Sequence, residues 1–248
     1  MIELHEFSPA WGINPSPFCL KVETYLRLAG LPFRPVSSVP FRAPKRKLPV
    51  IVDQGRRIAD SGHIIAYLQA TYGDPLDRGF SSEQQALGHL MRRTCEESLY
   101  FVLLYARWMD EPGWNVIRKA LFGGLPPVAR DLVPRLVRRG VARSLNGQGY
   151  GRHSRDEIYA LGITDLDALA IHLAARPFAV AERPTSFDAC IYAFLVSLMR
   201  PPIELPLKSH ALAKPALCQY VERMEAVLAE AAAQQQPAPV QYRAEPGP

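Results

Sequence analysis

Cysteine is scarce in this chain, and it is never paired. Cys19, Cys95, Cys190 and Cys218 are the only four in 248 residues, with no Cys-x-x-Cys and no zinc-ligand spacing. That excludes a two-cysteine redox motif and a cysteine zinc site, and it fits a reducing compartment. Long apolar runs are also missing. The longest, near residues 189–199, is too short to cross a bilayer. The N-terminus, Met1-Ile2-Glu3-Leu4-His5, lacks the basic region and apolar stretch of a signal peptide. The expectation is a cytoplasmic protein with no membrane span. Neither sign of charge dominates strongly: 29 basic residues face 24 acidic ones, for a net charge of +5. The basic clusters at residues 42–47 and 135–143 carry no interleaved aromatics and no known motif. No nucleic-acid partner is expected, only a mildly basic, solvated surface.

What the chain does have is a change of pattern near residue 75. Residues 2–7 read as a strand, followed by a loop rich in Pro, Gly and Asn. Ser16 suits a helix N-cap and Pro17 the first helical position, where the missing N–H costs nothing. Phe18, Val22, Tyr25, Leu26 and Ala29 then share one helical face, and Gly30 closes the helix. Residues 33–36 read as a second strand, and residues 50–52 and 57–59 as the arms of a hairpin. Asp60 or Ser61 caps a helix that ends before Gly73. Residues 73–82 read as a linker, and no strand signal follows. Residues 83–109 read as one long helix, with Leu87, Leu90, Met91, Leu99, Val102 and Leu103 among its apolar positions. Residues 128–145 read as an arginine-rich helix broken by Pro134 and Gly140, and residues 212–229 as a last helix. Ser154-x-x-Glu157 and Thr185-x-x-Asp188 are capping boxes. The expected organisation is an α/β domain over 1–75, an all-helical domain over 83–230 and a disordered tail over 231–248.

Three short segments carry chemistry. Ser16-Pro17-Phe18-Cys19 opens a helix after a strand, Lys47-Leu48-Pro49-Val50 puts a proline before a strand, and Ala59-Asp60-Ser61 puts a carboxylate and a hydroxyl at a helix start. Together they suit a thiol-bearing peptide. A helix N-terminus receives its thiolate, exposed backbone its amides, and polar side chains its α-amino-carboxylate end. Glutathione has that chemistry. A free thiol of pKa ~8.5 is only a few per cent ionised at pH 7, and lowering it by about two units takes ~2.7 kcal/mol. A hydroxyl donor backed by a helix dipole supplies much of that. Ser16 therefore reads as a thiolate partner or as a plain N-cap. Cys19 reads as a small residue packed under the helix or as a reactive thiol of its first turn.

The element order, the proline before the third strand and the all-helical second half resemble the glutathione transferase superfamily. Trp11-Gly12 before Ser16-Pro17-Phe18-Cys19-Leu20-Lys21, then Glu23-Thr24-Tyr25-Leu26-Arg27, Arg107-Trp108 and Gly151-Arg152-His153-Ser154, resemble its failed-axon-connections and metaxin-like branch. The resemblance implies a thioredoxin-like α/β N-terminal domain, an all-α C-terminal domain and a site in the cleft between them. It implies Ser16 as the catalytic residue, where redox members of the thioredoxin-like fold carry their first cysteine. It implies a cis bond before Pro49, with Leu48 pairing with the peptide's cysteinyl amide. Lys47 would meet the glycyl carboxylate, and Asp60 and Ser61 the γ-glutamyl end.

Trp11, Tyr105 and Trp108 are candidates for a second, apolar pocket, with core packing the alternative for Tyr105 and Trp108. His63 reads as surface and His153 as structural. Residues 39–47 are too short for a full second helix, a departure from many transferases. The expected reaction is attack of glutathione, as co-substrate, on an apolar electrophile, with no metal. Two rivals stand beside it: a non-catalytic binding or scaffold protein of the same fold, and a glutathione-dependent thiol reductase working through Cys19. The family's assembly implies a homodimer, and the apolar positions on the long helix are its support in the sequence.

Overall fold

The computed structural model describes residues 1–235. Strand β1 (Ile2–Glu6) leads through the loop to helix α1 (Pro17–Leu28) and strand β2 (Phe33–Ser37), and the hairpin β3 (Val50–Asp53) and β4 (Arg56–Ala59) leads to α2 (Ser61–Tyr72). The sheet order is β2-β1-β3-β4. β1 runs parallel to β2 and antiparallel to β3, and β3 is antiparallel to β4. A parallel pair needs a crossover, and α1 supplies it. Its Val22, Tyr25 and Leu26 bury against Leu4, Ile51 and the Ile64, Ile65 and Leu68 face of α2. Between β2 and β3 the chain makes a single 3-10 turn, Pro40–Arg42, in place of a helix.

The second half is helical. Helix α3 (Ser82–Arg93), a π-helical turn (Thr94–Leu99) and α4 (Tyr100–Trp108) run on as the one long rod expected from the sequence. Its start is held by a capping box between Ser81 and Gln84. Helix α5 (Glu111–Phe122) then follows, with only Gly113, Trp114 and Ile117 buried. Trp114, Ile117 and Leu121 recur along it at helical spacing, Ile117 and Leu121 packing on the helical core and Trp114 on Trp108, a period the sequence reading passed over.

Helix α6 (Pro127–Gln148) does not break at Pro134 or Gly140. A proline removes one backbone donor, and packing makes up the loss: Arg138, one turn on, donates to the carbonyls of Trp108 and Met109, pairs with Glu111 and stacks over the Trp114 ring. Helix α7 (Arg155–Ala174) and the buried α8 (Ser186–Met199) both start from the expected capping boxes. The expected last helix is α10 (Pro215–Gln235), which opens three residues later than read because Pro215 takes its first position, and a short helix α9 (Pro206–Leu212) that the sequence reading did not separate precedes it. Of the expected tail, residues 231–235 continue α10, and the rest lies outside the described residues.

The two cores meet at α1. Leu20 belongs to the helical core, while Ala189 of α8 belongs to the sheet core. The chain between α2 and α3 is pinned in place. Arg183 donates to the carbonyls of Pro75, Leu76 and Arg78, and Asp77 accepts from the Ser186 N–H at 2.8 Å. Close approach of α3 to α8 needs Gly88, where an added Cβ would lie 2.3 Å from the Phe187 ring. Among the described residues no helix is long and apolar enough to cross a membrane.

Candidate functional site

A cleft of about 850 Å³ opens between the sheet-bearing half and the rod formed by α3 and α4. Ser16, Lys47, Leu48, Pro49, Asp60, Ser61 and Trp108 all line it. Trp11 and Tyr105 lie off it: Trp11 packs on the helical core from a left-handed turn (φ 55°), and the Tyr105 ring sits against Tyr159. The apolar wall is instead built from Phe18, Tyr100, Phe101, Leu104 and Trp108, with Phe18 edge-on to Tyr100 at 4.9 Å. His63 is exposed at the rim, and His153 lies away from the cleft beside Glu157.

Ser16 is the N-cap of α1, and its Oγ accepts the Cys19 N–H at 3.4 Å. Its own N–H donates to Asn14 Oδ1 at 3.0 Å, and Asn14 in turn donates to the Phe7 carbonyl. Capping uses a lone pair on the hydroxyl and leaves its proton free to donate. The two readings of Ser16 are therefore compatible. Cys19 is fully buried with Ala43, Leu48 and Val50, and burial pushes its thiol up to about 12. It is a packing residue, with neither the access nor the thiolate character of a nucleophile.

The Leu48–Pro49 bond is cis, as expected. Lys47 stands exposed on the loop beside it. Asp60 caps α2, its Oδ1 accepting the Gly62 N–H at 3.0 Å from a backbone held at φ +85°. That is a strained conformation for a residue with a Cβ, and such strain clusters at binding sites. Ser61 behind it is buried, and its hydroxyl accepts from Lys21 Nζ at 3.3 Å. Lys21, on α1, is itself 1% exposed and pairs with Glu96 Oε1 at 2.5 Å.

Glu96 comes from the π-helical turn, whose extra residue per turn shifts the register of the rod as it passes the cleft. The sequence reading missed this pair. Lys21 had a signal, because it falls between Phe18 and Tyr25 on an apolar helix face where an unpaired charge is costly. Glu96 had none. Arg107, on α4, is also buried. It donates to the Pro15 carbonyl at 2.6 Å and to the Ser197 carbonyl, and burial lowers it to about 10.

The sequence profile of the glutathione S-transferase N-terminal domain matches residues 17–113, and that of the glutathione S-transferase C-terminal domain matches residues 162–224. An isoprene-epoxide glutathione S-transferase of Rhodococcus is 32% identical over 90% of this chain and 98% of its own length. Failed axon connections of Drosophila melanogaster is 34% identical over 91% of this chain, which spans only 57% of that protein. Among solved structures, a glutathione S-transferase of Ceriporiopsis subvermispora in complex with glutathione superposes with a TM-score of 0.63. It is 19% identical, covers 93% of this chain and is 98% covered itself, a likeness that shows the shared fold. With both halves matched in order, and a full-length relative sharing about a third of its residues, the chain belongs to the glutathione transferase family.

Proposed function

We propose that the protein conjugates glutathione to a small apolar electrophile. The observation that carries this is Ser16. Its hydroxyl sits at a helix N-terminus on the cleft wall, the Ser16 N–H is held from behind by Asn14, and the cap does not use the hydroxyl proton. In this reading Ser16 donates to the glutathione sulfur, and the α1 dipole favours the thiolate. The Leu48 backbone pairs with the cysteinyl amide in strand fashion, and Lys47 meets the glycyl carboxylate. Asp60 pairs with the γ-glutamyl ammonium while Ser61 donates to its carboxylate. Because Lys21 donates to Ser61, the Ser61 proton is turned away from Lys21 and toward the ligand. The aromatic wall from Phe18 to Trp108 receives the electrophile. The sulfur lone pair forms the C–S bond as the carbon–leaving-group bond breaks. The Rhodococcus relative is named for isoprene epoxide, so a small epoxide is the first electrophile to try.

Calorimetry and a conjugation assay test this together. Glutathione should bind, and Ser16→Ala should cut turnover at least tenfold, the scale of one lost donor. Its KM for glutathione should stay within a few-fold. No binding at millimolar glutathione would sink the reading. Binding without turnover on any electrophile would favour the scaffold alternative. The thiol-reductase alternative is opposed by the burial of Cys19.

A further inference from the structure

The Arg107 guanidinium is one of the most costly groups in the protein. It is 5% exposed, and no carboxylate pairs with it among the described residues. Two of its nitrogens donate to backbone carbonyls, of Pro15 and Ser197, and its Nε is buried without a partner. Carbonyls satisfy its donors but cannot neutralise its charge. A buried cation left in that condition is destabilising.

Its position suggests what answers the charge. Arg107 lines the cleft, and the Pro15 carbonyl it holds belongs to the peptide bond leading into Ser16. The cation therefore lies within roughly 8 Å of the Ser16 hydroxyl by covalent geometry alone. The acidic groups that line the cleft lie elsewhere. Glu96 and Glu97 are about three turns earlier on the rod, roughly 15 Å along its axis, and Asp60 is at the start of α2. Tyr100, on the same rod, faces Arg107, but burial raises its phenol and it stays neutral. The other lysines and arginines of the lining are Lys45, Arg46 and Lys47 on the loop before Pro49 and Arg92 and Arg93 on the earlier part of the rod, and none of them is bonded to the Pro15–Ser16 peptide.

We infer that Arg107 is the fixed positive charge against which glutathione ionises at Ser16, acting across the Pro15–Ser16 peptide as an electrostatic positioning residue. The inference rests on the glutathione reading and deepens it. The thiol proton leaves to water, and the sulfur keeps the electron pair. The buried cation then gains the anion it lacks in the free protein. It also makes the site selective for ligands with a negative sulfur.

Two probes separate the inference from the reading beneath it. Glutathione sulfonate carries a fixed negative charge at the sulfur, and S-methylglutathione carries none. Calorimetry on the unaltered protein should show both binding, with the sulfonate favoured. Arg107→Met should weaken the sulfonate about tenfold and S-methylglutathione less than twofold. Arg107→Lys should keep most of the preference. The ultraviolet absorbance of bound thiolate should shift to higher pH by about one unit in Arg107→Met, the same tenfold. If Arg107→Met does not fold, Arg107→Gln gives the same comparison with one carbonyl still held. Equal weakening of both probes would show that Arg107 only props the Pro15 loop, and would overturn the inference. S-methylglutathione binding retained with no sulfonate preference in the unaltered protein would overturn it too. Failure of the unaltered protein to bind either probe would overturn the glutathione reading itself.

Discussion

A serine hydroxyl can accept one hydrogen bond and donate another, and Ser16 is placed so that capping takes only the first. Ser16→Ala should therefore cost two separable things: about 1 kcal/mol of stability from the lost cap, read in denaturant melts, and the thiolate contact, read in turnover. The cysteines contrast with it. Cys19, Cys95 and Cys190 are 0% exposed, and Cys218 is partly exposed. A thiol reagent applied under native conditions should modify Cys218 well before the others, as peptide mapping would show. Fast labelling of Cys19 would reopen the reductase alternative.

Glu6, at the end of β1, is a third kind of buried group. Burial, with Glu23 nearby adding to it, raises its carboxyl to about 8 against the opposing pull of Arg27 and Asn14. Between about 4.5 and 8 the folded state holds a proton that the unfolded state has released, so stability falls as pH rises through that window. Glu6→Gln should melt progressively higher than the parent as pH goes from 5 to 9. Parallel melting curves would show that Glu6 is not buried as described.

At the scale of elements, α1 works on three sides at once. One face covers the sheet, its N-terminus carries Ser16, and Lys21 reaches across to Ser61 of α2 and Glu96 of the π turn. A buried pair is weak evidence for stability as a whole, but breaking one side of it is expensive. Lys21→Met should cost about 3 kcal/mol, because it leaves the Glu96 carboxylate with only Arg92, at 4.0 Å, as a cationic partner among the described residues. Lys21→Met with Glu96→Leu should recover most of that in chemical denaturation. The double variant should still bind glutathione more weakly than the parent, since nothing then orients the Ser61 hydroxyl. Recovery of both stability and affinity would reduce the pair to a structural prop.

Across the whole molecule, the two cores are interlocked. α1 contributes to both, Arg183 clamps the connecting segment by three carbonyls, and Asp77 holds the start of α8. The sheet-bearing half is thus expected to depend on the helical half. Thermal melts followed by far-ultraviolet circular dichroism and by tryptophan fluorescence should coincide. A fragment of residues 1–78 should stay unfolded. Separate transitions would mean the halves fold independently. The apolar positions of the long rod are mostly spent inside the protomer: Met91, Leu99, Val102 and Leu103 are in its own core, and Leu90 is 62% exposed. The sequence argument for a homodimer loses most of its support, and light scattering against the 27.7 kDa of one chain is the test of that assembly.

Local physics made much of this legible in the sequence. The caps at Ser16, Asp60, Ser154 and Thr185 are side-chain bonds to nearby backbone, so a few adjacent residues determine them. The strand and helix periods of the first 75 residues follow from which faces must be apolar. Elements held mainly by distant partners were not legible. Helix α6 passes through Pro134 because Arg138 ties it to α4 and α5.

The site divides in the same way. Ser16, Leu48, Pro49, Asp60 and Ser61 sit in short local motifs, and the sequence by itself determined them as candidates. Lys21, Glu96 and Arg107 are assigned only by tertiary structure. Their partners lie 75 residues away for the Lys21–Glu96 pair and 92 for Arg107 and Pro15, and a buried charge has meaning only once its surroundings are known.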